Sequence, residues 1–405
     1  MEKYLSNIMK LNLRAYLISY ALTTIAMSLP HAVLTIVLFQ KGLSLSEIML
    51  VQTTYSAAVL LFEYPSGLLA DLYSKKKLYV ISRVLLLAMM LVVVFTSGLF
   101  WMCFAWFLYG IGNALDSGTL DADIINSLKQ TDQTNRLSKF ISVSNQLDFV
   151  SLLVGSTIGS WIYYKIGVNF YFVGIILVIL AIITIVPGYK EGITNSVTSE
   201  KPSIVSEIVS GLNEIKKSKG LKIMIALTFS SQFFFQAHYQ LWQGLFLNKG
   251  LDKKNFYIVY IVFQLISLAA YNINFDKNKS KIRYYIPLTL IAMISAICLL
   301  IFTKSYLFIA FYMLLIFLFT VVEYYCSVLF STLVSIERIS SITSLRSSIG
   351  RIASICSMIL SSLMLTKINV LFVVITNFII SFVLMLIILM IFLKIRTDSA
   401  SNILK

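Results

Sequence analysis

Residues Gly67–Lys77 read GLLADLYSKKK, one aspartate and three consecutive lysines between two long apolar runs. Only 13% of the 405 residues are charged, 58% are hydrophobic and the mean hydropathy is +0.86. A soluble domain carries about 25% charged residues, so this chain has too little polar surface to face water all round. Apolar runs of about 20 residues cross a bilayer as helix. Twelve such runs are present, at approximately 13–39, 47–71, 78–96, 101–128, 137–163, 168–189, 221–247, 252–275, 284–303, 306–334, 342–367 and 369–394. None shows the alternating polarity of a barrel strand. The expected fold is an all-α integral membrane protein, and the stretch 67–77 is the connection between its second and third spans.

The 33 Lys+Arg against 18 Asp+Glu are not spread as a nucleic-acid surface would spread them. With the N-terminus in the cytoplasm, about 25 of the basic residues fall in the tails and even-numbered connections, the bias of the positive-inside rule. Lys10, Arg14, Lys75–Lys77, Arg83, Arg136, Lys216 and Arg346 are among them, while Lys41, Lys165 and Lys249 fall on the other side. The charge therefore reads as topology: both termini cytoplasmic, a multi-pass protein of the cell membrane, and no nucleic-acid partner. The first run is too long for a signal-peptide core and no small-residue cleavage site follows it. Cys103, Cys298, Cys326 and Cys356 all lie in expected spans without metal-ligand spacing, so they read as small buried apolar residues. No metal or cofactor is expected.

One long polar stretch, about 190–220, divides the spans six and six. The expected organisation is a six-helix bundle over 1–189, a cytoplasmic linker over 190–220 and a second bundle over 221–405. Within the linker, 204–215 has apolar residues at helical spacing and reads as a short in-plane helix. The halves also repeat weakly. FQKGLSLSEI after the first span matches FLNKGLDKKNF after the seventh, placing Gly42 against Gly250, and Asp71 and Lys76 match Asp276 and Lys281. Internal six-span repeats are a transporter architecture.

GLLADLYSKKK resembles the G-x-L-A-D-r-x-G-r-k-x motif between spans 2 and 3 of the major facilitator superfamily. Gly67, Leu69, Ala70, Asp71, Lys75 and Lys76 match, and Ser74 replaces the second glycine. EYPSG before the motif and SGTLDADIINSL in span 4 are similar to a bacterial efflux-type branch. The resemblance implies two pseudo-symmetric bundles of six helices, with spans 1, 4, 7 and 10 around a central cavity. It also implies a conformational latch of Gly67, Asp71, Lys75 and Lys76, Asp71 resting on the first turn of span 11 near Ser340 and Ser341. A carboxylate there gains about 0.3–1 kcal/mol from the helix dipole, and the lysines would hold the loop at anionic lipid. Two features of proton-driven members are missing: Trp106 stands where span 4 commonly has arginine, and the span 5 Gly-Pro signature is reduced to Gly155 and Gly159.

A charge at mid-bilayer costs about 2.5–3.5 kcal/mol on insertion scales, so each one retained calls for a reason. Asp116, Asp148, Glu323 and Arg351 each lie about 13–18 Å from the cytoplasmic end of their expected helix at 1.5 Å per residue. They are the expected proton-coupling groups, with a structural pair of Arg351 and Glu323, or of Arg351 and Asp148, as the competing reading. Asn113 shares a stripe with Asp116, and His31 shares one with Tyr20, Thr24, Ser28 and Thr35. Span 7 carries Gln232, Gln236, Tyr239, Gln240 and Gln243 on one face, and span 8 adds Tyr260 and Gln264. Glutamines are poor lipid neighbours, so His31, Asn113, Gln232, Gln236, Tyr239, Gln243, Tyr260 and Gln264 are the expected substrate-cavity residues.

These observations exclude most enzyme classes. The two histidines lie 207 residues apart, and no nucleophile or metal constellation is present. No G-x-x-x-x-G-K-[ST] occurs, so transport draws on an ion gradient. One charge crossing 100 mV yields about 2.3 kcal/mol. The leading expectation is a monomeric, proton-coupled exporter of small amphipathic compounds or antibiotics in a bacterial inner membrane, in contact with membrane lipids. The alternative is a proton-coupled uptake symporter for a polar nutrient.

Overall fold

The computed structural model describes residues 2–130, 134–191, 212–213, 215–216, 218–273, 279–303, 305–334 and 339–401. Most of the in-plane helix expected over 204–215, and Asp276 of the repeat, lie outside the described residues, as do the side chains of Asp71, Ser340, Ser341 and Lys281. Every regular element described is helical. In order these are α1 (Glu2–Ser28), α2 (Leu34–Gln40), α3 (Leu45–Leu72), α4 (Lys75–Phe95), α5 (Leu99–Asp116), α6 (Leu120–Gln130), α7 (Thr134–Ile166) and α8 (Tyr171–Gly188). They continue with α9 (Lys219–Asn248), α10 (Phe256–Tyr271), α11 (Lys279–Phe302), α12 (Ser305–Leu333), α13 (Ile339–Leu365) and α14 (Val370–Ser401), with single 3₁₀ turns before α8 and α10. Among the described residues, seven helical stretches are long and apolar enough to cross a membrane, one of them Arg136–Gly188, which joins two expected spans.

Two expected spans are each a pair of helices. The run 13–39 breaks at Leu29–Val33, because Pro30 has no amide to continue the ladder. The chain turns there through His31 N–H to the Ser28 carbonyl (3.0 Å) and Val33 N–H to the Pro30 carbonyl (2.9 Å). The run 101–128 breaks after Asp116. Gly118 adopts φ +74°, open to glycine at little cost, and Thr119 Oγ1 donates to the Asp116 carbonyl at 2.7 Å. Asp116 is therefore the last residue of α5 rather than a mid-helix residue.

The chain forms two compact units, Met1–Ser199 with Lys254–Ile261, and Glu200–Lys253 with Val262–Lys405. In the first, α1 packs on α7 and α8, and α5 on α3 and α4. In the second, α9 packs on α13 and α14, and α11 on α12 and α14. An aromatic core centres the second unit, with Phe234 stacked on Phe319 (3.8 Å) and Phe378 (4.2 Å). In the first unit α7 meets α1 through Gly155 and Gly159. A Cβ at Gly159 would fall 2.1 Å from the Leu29 carbonyl oxygen, and one at Gly155 2.7 Å from that of Ile25. Glycines four apart let two backbones touch.

The Gly42/Gly250 repeat has a structural counterpart in both units. Gly42 and Gly250 have φ +85° and +84°. Each ends a helix in which the next residue's amide reaches back: Leu43 to the Leu38 carbonyl (3.1 Å), Leu251 to that of Phe246 (2.9 Å). This is the glycine-terminated helix end that satisfies orphan carbonyls. The preceding lysines repeat as well. Lys41 Nζ donates to the carbonyls of Val94 and Thr96 at 3.0 and 2.9 Å, and Lys249 Nζ to those of Leu300 and Thr303 at 3.3 and 3.2 Å. A cation at a helix C-terminus contributes about 0.3–1 kcal/mol, and up to about 2 when partly buried. Lys41→Met and Lys249→Met are each expected to destabilise by about 1–2 kcal/mol, Lys41→Met more because Lys41 is buried. Thermal melting of the detergent-solubilised protein checks this; an unchanged melting temperature in both variants would contradict it.

Candidate functional site

The lysines of Gly67–Lys77 have separate partners. Ser74 caps α4, its hydroxyl accepting from Lys77 N–H (3.1 Å) and donating to the Glu191 carboxylate (2.6 Å). Glu191 also accepts from Lys76 N–H at 2.8 Å, a carboxylate at the positive end of α4. Lys75 Nζ pairs with Asp123 at 3.1 Å, and the second Asp123 oxygen accepts from the Tyr189 hydroxyl at 2.7 Å. Lys76 Nζ donates to the carbonyls of Val186 and Tyr189 at the end of α8 (2.7 and 2.8 Å). Asn12 completes the junction by bonding both backbone groups of Lys190 at 2.9 Å. Lys75 and Lys76 thus tie α4, α6 and α8 together, and Lys77 is the exposed one. Gly67 faces open space, with nothing within 4 Å of a Cβ there.

Asp116 ends α5, where the helix dipole disfavours a negative charge. Arg83 offsets this: its Nη2 donates to both Asp116 oxygens, at 2.8 and 3.0 Å, and its side chain is only 4% exposed. The guanidinium also lies 4.0 Å over the Tyr79 ring, one turn earlier on the same helix. Tyr79 hydrogen-bonds Ser19 (2.9 Å) and packs on Tyr16, which stacks on Tyr20. Tyr20 in turn donates to Asp148 at 3.1 Å. Asp116 and Asp148 are thereby two ends of one string of tyrosines. Asn113 Nδ2 donates to the Tyr55 hydroxyl at 2.5 Å, and the Tyr55 ring packs tilted against Tyr109 with centroids 4.6 Å apart. His31, in the break between α1 and α2, bonds the buried Tyr260 hydroxyl through Nδ1 at 3.1 Å.

In the second unit the glutamines of α9 form a ladder. Gln236 Nε2 reaches Gln232 Oε1 at 3.4 Å, and Gln240 Nε2 reaches Gln236 Oε1 at 3.5 Å. Ser354 of α13 joins them, accepting from Gln236 Nε2 (3.1 Å) and donating to Gln232 Oε1 (2.8 Å), with the Gly350 carbonyl at 2.9 Å as competing acceptor. A Cβ at Gly350 would stand 3.9 Å from Gln232 Nε2, in ordinary contact distance of the ladder. Gln232 and Gln236 are half-buried and Tyr239 is 54% exposed, stacked on Phe235. Gln243 is buried and Gln264 half-buried. His238 bonds Tyr312 at 3.0 Å inside the aromatic core.

The ion-pair partner of Glu323 is Arg346, Nη2 to Oε1 at 3.7 Å, while Arg346 Nε donates to Thr228 at 2.8 Å and its guanidinium lies 4.5 Å over Phe330. Arg351, half-buried, lies five residues further along α13. Glu323 Oε2 has no hydrogen-bond partner among the described residues. Arg83 and Ser354 are the residues that sequence reasoning passed over, and Arg346 was considered only as a partner for Glu63. Arg83 and Arg346 sit a few residues inside expected spans 78–96 and 342–367 and were absorbed into the topology signal. Nothing in the chain distinguishes Ser354 from the other serines of α13.

A sequence model of the Major Facilitator Superfamily matches residues 16–335. No curated protein matches the chain in sequence. Among solved structures, the chain is similar to the nucleoside transporter NupG, with a TM-score of 0.77 at 13% identity over 94% of this chain and 99% of that one. It is also similar to the POT family transporter PepTSo, with a TM-score of 0.66 at 11% identity over 94% and 97%. These likenesses concern the fold alone. With its helical units and the match over most of its length, the chain belongs to the major facilitator superfamily.

Proposed function

We propose that the protein is a proton-coupled uptake transporter for a neutral, hydrogen-bonding solute of the nucleoside kind. The observation that carries this reading is the Gln232–Gln236–Ser354 ladder. Carboxamides and a hydroxyl offer donors and acceptors without charge, the chemistry that recognises ring nitrogens, carbonyls and sugar hydroxyls. Unpaired carboxylates in the cavity would suit an exporter of lipophilic cations. Asp116 and Glu323 each carry an arginine from their own unit instead. NupG is a nucleoside transporter by name, and a solute of that kind suits the carboxamide and hydroxyl chemistry of the ladder. The twelve-span plan, cytoplasmic termini and monomeric state belong to the same proposal.

Of the two acids, Glu323 is the better proton carrier. Its pair is long and its second oxygen is buried without a hydrogen-bond partner among the described residues, whereas both Asp116 oxygens are held. Uptake of labelled uridine and adenosine into proteoliposomes tests the function, with an acid-outside gradient as the driving force. Accumulation above equilibrium is expected for wild type. Gln236→Leu breaks the ladder between Gln232 and Gln240 and removes a substrate donor; losing a hydrogen bond to substrate costs about 1–3 kcal/mol, so uptake should weaken about tenfold or more. Glu323→Gln is expected to abolish the gradient dependence while leaving downhill exchange. Outward transport of lipophilic cations, with no nucleoside uptake, would restore the exporter reading.

A further inference from the structure

At the Ile166 end of α7 the first unit contains a mostly apolar cavity of about 470 Å³, within the size range of small-ligand sites. Its walls include Thr157, Ser160, Trp161, Tyr164, Lys165 and, from Lys254–Ile261 of the same unit, Tyr257. Three of its features belong to no part of the transport reading. The Lys165 ammonium lies 3.5 Å over the Trp161 ring, a cation held at the cavity wall. Ser160 is wholly buried, yet its hydroxyl has no hydrogen-bond partner among the described residues. A buried hydroxyl left without a partner is costly, and a ligand oxygen can satisfy it. From the cavity wall back along α7, Trp161, Ile158, Val154 and Val150 form an exposed stripe, 61%, 44%, 38% and 53% accessible.

We propose that this cavity is a binding site for one anionic phospholipid, with the phosphodiester at Lys165 and Ser160 and an acyl chain along the Val150–Ile158 stripe. Lys165 and Val150 are fifteen residues apart, about 22 Å of helix rise, enough for a headgroup and most of one leaflet's chain. Tryptophan, tyrosine and lysine at a helix end mark the headgroup level of a bilayer. The cation selects an anionic head over a zwitterionic one, and the apolar stripe selects a lipid over a free phosphate ester. The site is independent of the transport substrate, since none of its residues belongs to the glutamine ladder.

Native mass spectrometry of the purified full chain, titrated with phosphatidylglycerol, phosphatidylcholine or glycerol phosphate, tests the proposal. One phosphatidylglycerol should remain bound at lipid concentrations where phosphatidylcholine and glycerol phosphate do not. Lys165→Gln should weaken that binding about tenfold, as expected for losing one charge-assisted contact of about 1.4 kcal/mol, and Lys165→Arg should retain it. Val154→Asp, which charges the stripe and leaves the cation in place, should weaken it independently. Equal retention of the two lipids, unchanged selectivity in Lys165→Gln, or binding of glycerol phosphate as tight as that of the lipid would each overturn the site.

Discussion

Gly159→Ala is expected to lower the stability of the protein by about 3 kcal/mol, and Gly159→Leu to prevent recovery of folded protein altogether. The new Cβ would lie 2.1 Å from the carbonyl oxygen of Leu29 and 2.5 Å from its Cα. Both are backbone atoms, so no side-chain rotation relieves the clash. Restoring van der Waals contact at roughly 3.4 Å requires α1 and α7 to separate by more than about 1 Å, in an interior packed too densely to absorb it. Overpacking costs about 1–3 kcal/mol when side chains can yield, and here they cannot. The gain of about 1 kcal/mol in helix propensity from replacing glycine offsets only part. Gly67→Ala supplies the control, since its Cβ meets nothing within 4 Å. Size-exclusion profiles and melting temperatures of the three variants decide the matter. A wild-type melting temperature for Gly159→Ala would show that the α1–α7 contact is not limiting.

Arg83→Gln is expected to be the most damaging charge substitution in the first unit. It leaves the Asp116 carboxylate without a counter-charge at the C-terminal end of α5, where the dipole adds to the cost. Breaking a buried pair costs about 3–5 kcal/mol; the lower end applies, because 29% of the Asp116 side chain is accessible. Asp116→Asn removes the opposite partner and strands a guanidinium with 4% exposure, so it should lose a similar amount. The double variant should lose less than the sum, since a neutral pair leaves no uncompensated charge. Arg83→Lys should recover only part, because an ammonium does not reproduce the planar stacking on Tyr79. Denaturation of the four variants yields the coupling directly. Strictly additive losses would mean that the 2.8 Å contact contributes nothing, and would return Asp116 to the proton-coupling candidates.

Much of this protein was legible in its sequence. Apolar runs near 20 residues, separated by basic connections, dictate membrane helices regardless of what they pack against, because an unsatisfied backbone in lipid costs several kcal/mol per group. The G-x-L-A-D pattern at Gly67–Asp71 pointed to the family that the match over residues 16–335 shows. The Gly42/Gly250 repeat was readable because positive φ at a helix end depends on one residue type, and both glycines adopt it. Tertiary structure alone decided the partners. Periodicity reports which face of a helix a residue occupies, not which helix that face meets. Arg83 and Arg346 could therefore be counted for topology while their contacts with Asp116 and Glu323 stayed invisible. Lys75, Lys76 and Lys77 share one sequence environment yet divide between a carboxylate, two helix-end carbonyls and open exposure. The breaks at Leu29–Val33 and after Asp116 have local signals in Pro30 and Gly118. Spanning helices tolerate proline and glycine when neighbours satisfy the freed groups, and only the packing around each break shows that these helices stop.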